Sequence, residues 1–177
     1  MKHLADLLLL GDPRLYETCE PVLEAELPLV AGWVADLHTV MEEIRATYQF
    51  GRGIAAPQLG IMKRLIYLNV DRHQVIVNPE LVTVSPETDE LWDDCMSFPN
   101  LLVRVQRHCS LTLTYRDEYW QPHTWTVTDW SLSELIQHEY DHLNGVLCTM
   151  RAIDGHSFQW RPTPLAGTQP ADRPVSM

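Results

Sequence analysis

Apolar residues recur at helical spacing in two stretches of the chain, with shorter β-rich runs between them. Val30, Val34, Leu37, Met41, Ile44 and Tyr48 follow one another at intervals of 4, 3, 4, 3 and 4. That is one face of an amphipathic helix over residues 29–48, and Pro28 suits a first helical position. The face is apolar enough to be core and carries no assigned chemistry. Residues 64–70 and 74–77 read as strands across the turn-like Asp71-Arg72-His73, and 81–84 as a further strand. Residues 101–105, 110–115 and 123–127 have β-rich composition at hairpin spacing. A second helix is expected over 132–144. Ser131 and Glu134 form an S-x-x-E capping box at its start, and Asn144-Gly145 supplies a stop.

Composition narrows the class. A chain of 177 residues with 45% hydrophobic and 21% charged positions is expected to be one folded domain. We place that domain at 1–160. The Pro-containing tail 161–177, with Pro162, Pro164, Pro170 and Pro174, is expected to be extended or disordered. The net charge of −11 argues against a broad nucleic-acid or anionic-membrane surface. No run approaches the roughly 20 apolar residues of a membrane span. The short run 7–10 ends at Gly11-Asp12-Pro13 without a signal-peptide cleavage pattern, so a cytoplasmic protein is the default expectation. Cys19, Cys95, Cys109 and Cys148 are scattered and do not suggest a disulfide framework.

The candidate chemistry lies on the second helix, in His138-Glu139-Tyr140-Asp141-His142. Four residues apart, the two imidazoles project from one helical face and suit a divalent transition metal. Glu139 is displaced by about 100° around the helix, where it can handle a proton on bound water. A catalytic site needs a third protein ligand. A third His six residues after His142 is not present, because that position is Cys148. Downstream, only Asp154, His156 and Asp172 offer alternatives, which makes a ligand from upstream the better expectation.

Two upstream segments bear on that ligand. One is Asp93-Asp94-Cys95-Met96-Ser97, 43 residues before His138 when counted from the cysteine. The other is Gly51-Arg52-Gly53-Ile54-Ala55-Ala56-Pro57-Gln58. On its own, Cys95 would most often be a buried thiol, Gln58 a turn-stabilising amide, and the glycines simple turn residues. In this order, however, the three segments resemble the peptide deformylase pattern GxGxAAxQ, EGCxS, HExDH. The first and third are met in full. The second departs at Asp93 and Asp94, which stand where the family has Glu and Gly. Residues 10–15 also look like the family's N-terminal segment.

The resemblance implies an α+β fold, with antiparallel strands packed around a C-terminal metal-binding helix. It implies one divalent metal held by Cys95, His138 and His142, with Fe(II) the usual ion and Zn(II), Ni(II) or cobalt as substitutes. It implies hydrolysis of the N-formyl group from the formylmethionine of newly made polypeptides, releasing formate. Glu139 would be the acid/base, and Gln58 with the Met96 backbone N–H the oxyanion donors. Arg52, Gly53 and Asp94 would border the substrate, and Asp141 and Arg107 would support the ligands, with an Arg107–Asp141 pair expected. The expected partners are an N-formylated peptide or a small N-formyl compound, with transient ribosome association, and no nucleic acid or membrane. Arg52 replaces an aliphatic residue, Leu102 falls where many bacterial members have Arg, and Glu134 lies one turn before His138. Arg52 with Glu134, or Arg52 with Asp94, is therefore expected to change the polarity of the groove. A deformylase or amidase for another N-formyl substrate, and a catalytically weak metal-bound homologue, are the competing readings.

Overall fold

The computed structural model describes residues 1–161. Its long helix, α1, spans Leu27–Tyr48. Eight strands follow in chain order: β1 Gly53–Ala55, β2 Leu65–Asn69, β3 His73–Val84, β4 Thr88–Asp94, β5 Leu101–His108, β6 Leu111–Arg116, β7 Pro122–Val127 and β8 Phe158–Trp160. A second helix, α2, spans Trp130–Leu143. The strands form a five-stranded sheet in the order β1-β2-β3-β6-β7 and a three-stranded sheet in the order β4-β5-β8. Every pairing between these strands is antiparallel. The architecture is α+β.

The two helices cover opposite faces of the larger sheet. Side chains alternate along a strand, so β2 serves both faces. Leu65 and Tyr67 pack with Val30, Leu37, Met41 and Ile44 of α1. Ile66 and Leu68 pack with Leu135, Ile136 and Leu143 of α2. This explains why β2 reads as an unbroken apolar run. A third cluster lies beneath the small sheet and holds Cys95, Val103, Val105, Leu147 and Cys148.

Three sequence expectations are corrected. Residues 74–77 and 81–84 belong to one strand, β3, whose register against β6 shifts between Val77 and Glu80. Asn78 sits there in a left-handed conformation (φ 51°), and its side chain bonds both backbone groups of Val22. Pro79, which lacks an N–H, is accommodated in this irregular stretch. The second correction is the start of α2. Asp129 is its N-cap and accepts from the Leu132 N–H at 2.9 Å. Ser131 and Glu134 therefore lie inside the helix and form no capping box. Thirdly, β1, β4 and β8 were not expected at all. At its far end α2 stops as expected, with Asn144 as C-cap and Gly145 at φ +69°. A β-carbon on Gly145 would lie 2.5 Å from the Tyr16 carbonyl oxygen, so only glycine fits. Of the expected tail, Arg161 is well held, as described below, and residues 162–177 lie outside the described residues.

Candidate active site

Cys95 directly follows β4, at the head of a tight loop closed by the Phe98 N–H on the Cys95 carbonyl at 3.1 Å. His138 and His142 lie one turn apart on α2. The fold brings their donor atoms together. Cys95 Sγ is 3.4 Å from His142 Nε2, which is 3.2 Å from His138 Nε2. All three residues are buried.

The donor set fits a metal ion. Tetrahedral ligands at about 2.0–2.1 Å for nitrogen and about 2.3 Å for sulfur stand roughly 3.4–3.6 Å from one another, close to the spacings seen. Asp93 oxygen, His138 nitrogen and Cys148 sulfur also lie within 4.8 Å of one another. That second group is less suited, because Asp93 is already engaged on its other side by Arg107 at 3.0 Å.

Asp93 fixes the orientation of His138. Successive residues of β4 face opposite ways, which turns Asp93 inward and Asp94 outward. An Asp93 oxygen lies 2.9 Å from His138 Nδ1, leaving Nε2 for the cluster. Burial opposes the charge on Asp93, but His138 and Arg107 outweigh it and hold the carboxyl down at about 2. Arg107 also donates to Asp141 at 2.5 Å, and Arg151 reaches Asp141 at 2.8 Å. Asp141 thus pairs with cations and does not hold a histidine. In the sequence Asp93 stands only as a departure from the family motif. Its signal was a carboxylate two residues before a candidate cysteine ligand.

Glu139 is buried, and its Oε2 has no hydrogen-bond partner among the described residues. Burial pushes its carboxyl up to about 7, against the opposing charge of His138. Gly53 is what allows this placement. A β-carbon there would lie 2.8 Å from Glu139 Oε1 and 2.9 Å from Leu68 Cδ2. The resemblance puts that glycine at the border of the substrate, and Glu139 gives it a second reason.

Gln58 sits in a 3-10 turn, Ala56–Leu59. Its Oε1 accepts from the Ala55 N–H at 2.9 Å, so its Nε2 points to Ser97 Oγ at 3.2 Å and Cys95 Sγ at 3.6 Å. Gln58 is thus held by its own turn, with its amide nitrogen facing Ser97 and Cys95.

A cavity of about 840 Å³ opens onto this cluster, and Arg52, Gly53, Gln58, Asp94, Met96, His138 and Glu139 line it. Arg52 crosses it to α2. One nitrogen donates to Ser131 Oγ at 2.7 Å and another pairs with Glu134. Of the two acids named with Arg52 as changing the polarity of the groove, Glu134 is the one it pairs with. Asp94 is taken instead by Arg161 at 2.7 Å. The Arg161 guanidinium also lies 4.2 Å from the Phe50 ring centroid and donates to the Pro99 carbonyl.

Comparison with known proteins agrees with this geometry. The profile of the polypeptide deformylase family matches residues 4–157. A peptide deformylase of Thermotoga petrophila is 33% identical over 142 residues, covering 77% of this chain and 80% of that protein. One from Leptospira biflexa is 30% identical over 155 residues, covering 80% and 83%. The crystal structure of the Thermotoga maritima peptide deformylase superposes with a TM-score of 0.73 at 29% identity, covering 84% of this chain and 97% of that one. The Synechococcus elongatus peptide deformylase in complex with actinonin gives a TM-score of 0.73 at 30% identity, covering 84% and 79%. A profile match over most of the chain and the shared fold lead to one conclusion: this chain belongs to the peptide deformylase family.

Proposed function

We propose that this protein hydrolyses the N-formyl group of peptide N-termini, releasing formate and a free amine. The observation that carries the reading is the convergence of Cys95, His138 and His142 beside a buried Glu139 whose Oε2 has no partner among the described residues. Cys95, His138 and His142 would hold one divalent ion, Fe(II) by family habit, with Zn(II) or Ni(II) as substitutes. Such an ion polarises a carbonyl and lowers the pKa of water from 15.7 to about 7.

The chain's own groups account for the remaining chemistry. Glu139, held near neutrality by burial, takes a proton from the attacking water. It returns that proton to the amine nitrogen as the formyl C–N bond breaks, a transfer worth about 10²–10⁴-fold in rate. Gln58 Nε2 and the Met96 backbone N–H donate to the oxygen that becomes negative on attack. β1 is an edge strand of the larger sheet, so an extended peptide can add alongside it through backbone hydrogen bonds.

The family's habitual substrate is the formylmethionyl end of newly made polypeptides, met in the cytoplasm and in transient contact with the ribosome. The Arg52–Glu134 pair favours a second reading, the same bond in a substrate with a different first side chain. Formate release from formyl peptides by anaerobically Fe(II)-loaded protein tests the activity. Glu139→Gln should lose at least about a hundredfold. Bound metal with no formate from any formyl peptide would sink the reading in favour of a metal-bound interaction protein.

A further inference from the structure

The cavity wall nearest the cluster carries a charged pair among apolar residues such as Met96 and Leu135. Glu134 lies one helical turn before His138, and Arg52 adjoins the glycine against which Glu139 packs. Their ion pair is therefore built into the wall that holds the candidate ligands. The Glu134 side chain is 7% exposed and that of Arg52 40% exposed, so an incoming molecule meets the guanidinium, with the carboxylate behind it. Ser131 extends this polar surface by accepting from Arg52 through both its hydroxyl and its carbonyl oxygen.

An alkyl or thioether side chain placed here would strip water from Arg52 and return no hydrogen bond. An acceptor group would replace the lost water. An acid is disfavoured because Glu134 already neutralises the guanidinium it would meet. A base would have to compete with Arg52 for a carboxylate that is already covered.

We propose that Arg52 and Glu134 set the specificity of this site. They select N-formyl peptides whose first side chain is neutral and hydrogen-bond accepting, such as a carboxamide, over those beginning with formylmethionine. The proposal rests on the deformylase reading above and names its substrate class.

The test uses the Fe(II)-loaded full chain and four peptides, formyl-Gln-Ala-Ser, formyl-Met-Ala-Ser, formyl-Glu-Ala-Ser and formyl-Ala-Ala-Ser. The expected result is a kcat/KM for the Gln peptide at least about tenfold above that for the Met peptide, since a polar site rejects a substrate that leaves its groups unpaired. The Glu peptide should fall below the Gln peptide. Replacing both partners, as Arg52→Leu with Glu134→Leu, avoids an unpaired buried charge and should reverse the Gln-to-Met order. Equal or better turnover of the Met peptide by the unaltered protein overturns the proposal. So does preference for the Glu peptide, or an unchanged ratio in the folded double variant. If that variant does not fold, the ratio in the unaltered protein decides. Formate from the Ala peptide supports the deformylase reading whatever the ratio. No formate from any of the four overturns that reading and the specificity with it.

Discussion

Asp93 and His138 meet at 2.9 Å, carboxylate oxygen to Nδ1, and this contact commits the other imidazole nitrogen to the cluster. Carboxylates in this position orient a ligand and raise its basicity. Asp93→Asn should therefore weaken metal retention by about 10–100-fold. Competition against a graded chelator series would measure it. Unchanged affinity would show that Asp93 serves Arg107 alone.

Gly53→Ala should harm activity more than stability. The new methyl would meet Glu139 Oε1 at 2.8 Å and Leu68 Cδ2 at 2.9 Å. Overpacking of this kind costs about 1–3 kcal/mol, and a displaced Glu139 should lower turnover at least about tenfold. Gly32 in α1 is the matched control, since a β-carbon there meets nothing within 4 Å. Gly32→Ala should stabilise by about 0.5–1 kcal/mol. Thermal melts and formate assays on both variants check the contrast.

Arg107→Met should be strongly destabilising. Arg107 is buried between Asp93 at 3.0 Å and Asp141 at 2.5 Å, so its loss leaves two buried carboxylates short of a partner. Breaking a buried pair in this way costs about 3–5 kcal/mol. Asp93 keeps His138 and Asp141 keeps Arg151, so both carboxylates lose one of two partners. Urea unfolding of the variant measures the loss, and a change under about 1 kcal/mol would contradict the arrangement.

Cys19 should weaken the fold at high pH. Burial raises its thiol pKa from 9.0 to about 11, against a nearby Arg64 charge. The unfolded chain then loses this proton first. The contribution is fully present below pH 9 and is lost as pH rises towards 11. Cys19→Ala should flatten the fall in stability across that window. In the native protein at pH 8, a maleimide should label the half-buried Cys109 well before Cys19. Equal labelling rates would show that Cys19 is not enclosed.

The sequence made some parts of this molecule legible and hid others for physical reasons. α1 was readable because its buried face repeats at the helical period. The five residues of the α2 motif were readable because helix geometry alone places His138 beside His142. β1 has three residues, Gly53–Ala55, too few to show alternation. β4 carries Thr88, Asp89, Glu90, Asp93 and Asp94, and its acids conceal a strand whose inward Asp93 is buried only because Arg107 and His138 balance it. The Ser131–Glu134 capping pattern misled because both side chains answer to Arg52, 79 and 82 positions earlier in the chain. A local motif cannot reveal a partner at that distance. The partner of Asp94 is hidden in the same way, because Arg161 lies 67 positions from it.

The clustering of Gln58, Cys95 and His142 also bears on how the protein comes into being. Gln58 and Cys95 are 37 positions apart, and Cys95 and His142 are 47. Each closure carries an entropic cost that local structure does not offset, and contacts of this range slow folding. A chain made from its N-terminus completes early elements first. A ribosome that has reached residue 129 has produced both glycine and cysteine segments and neither imidazole. A metal held by Cys95, His138 and His142 would then be captured late in the biogenesis of this protein.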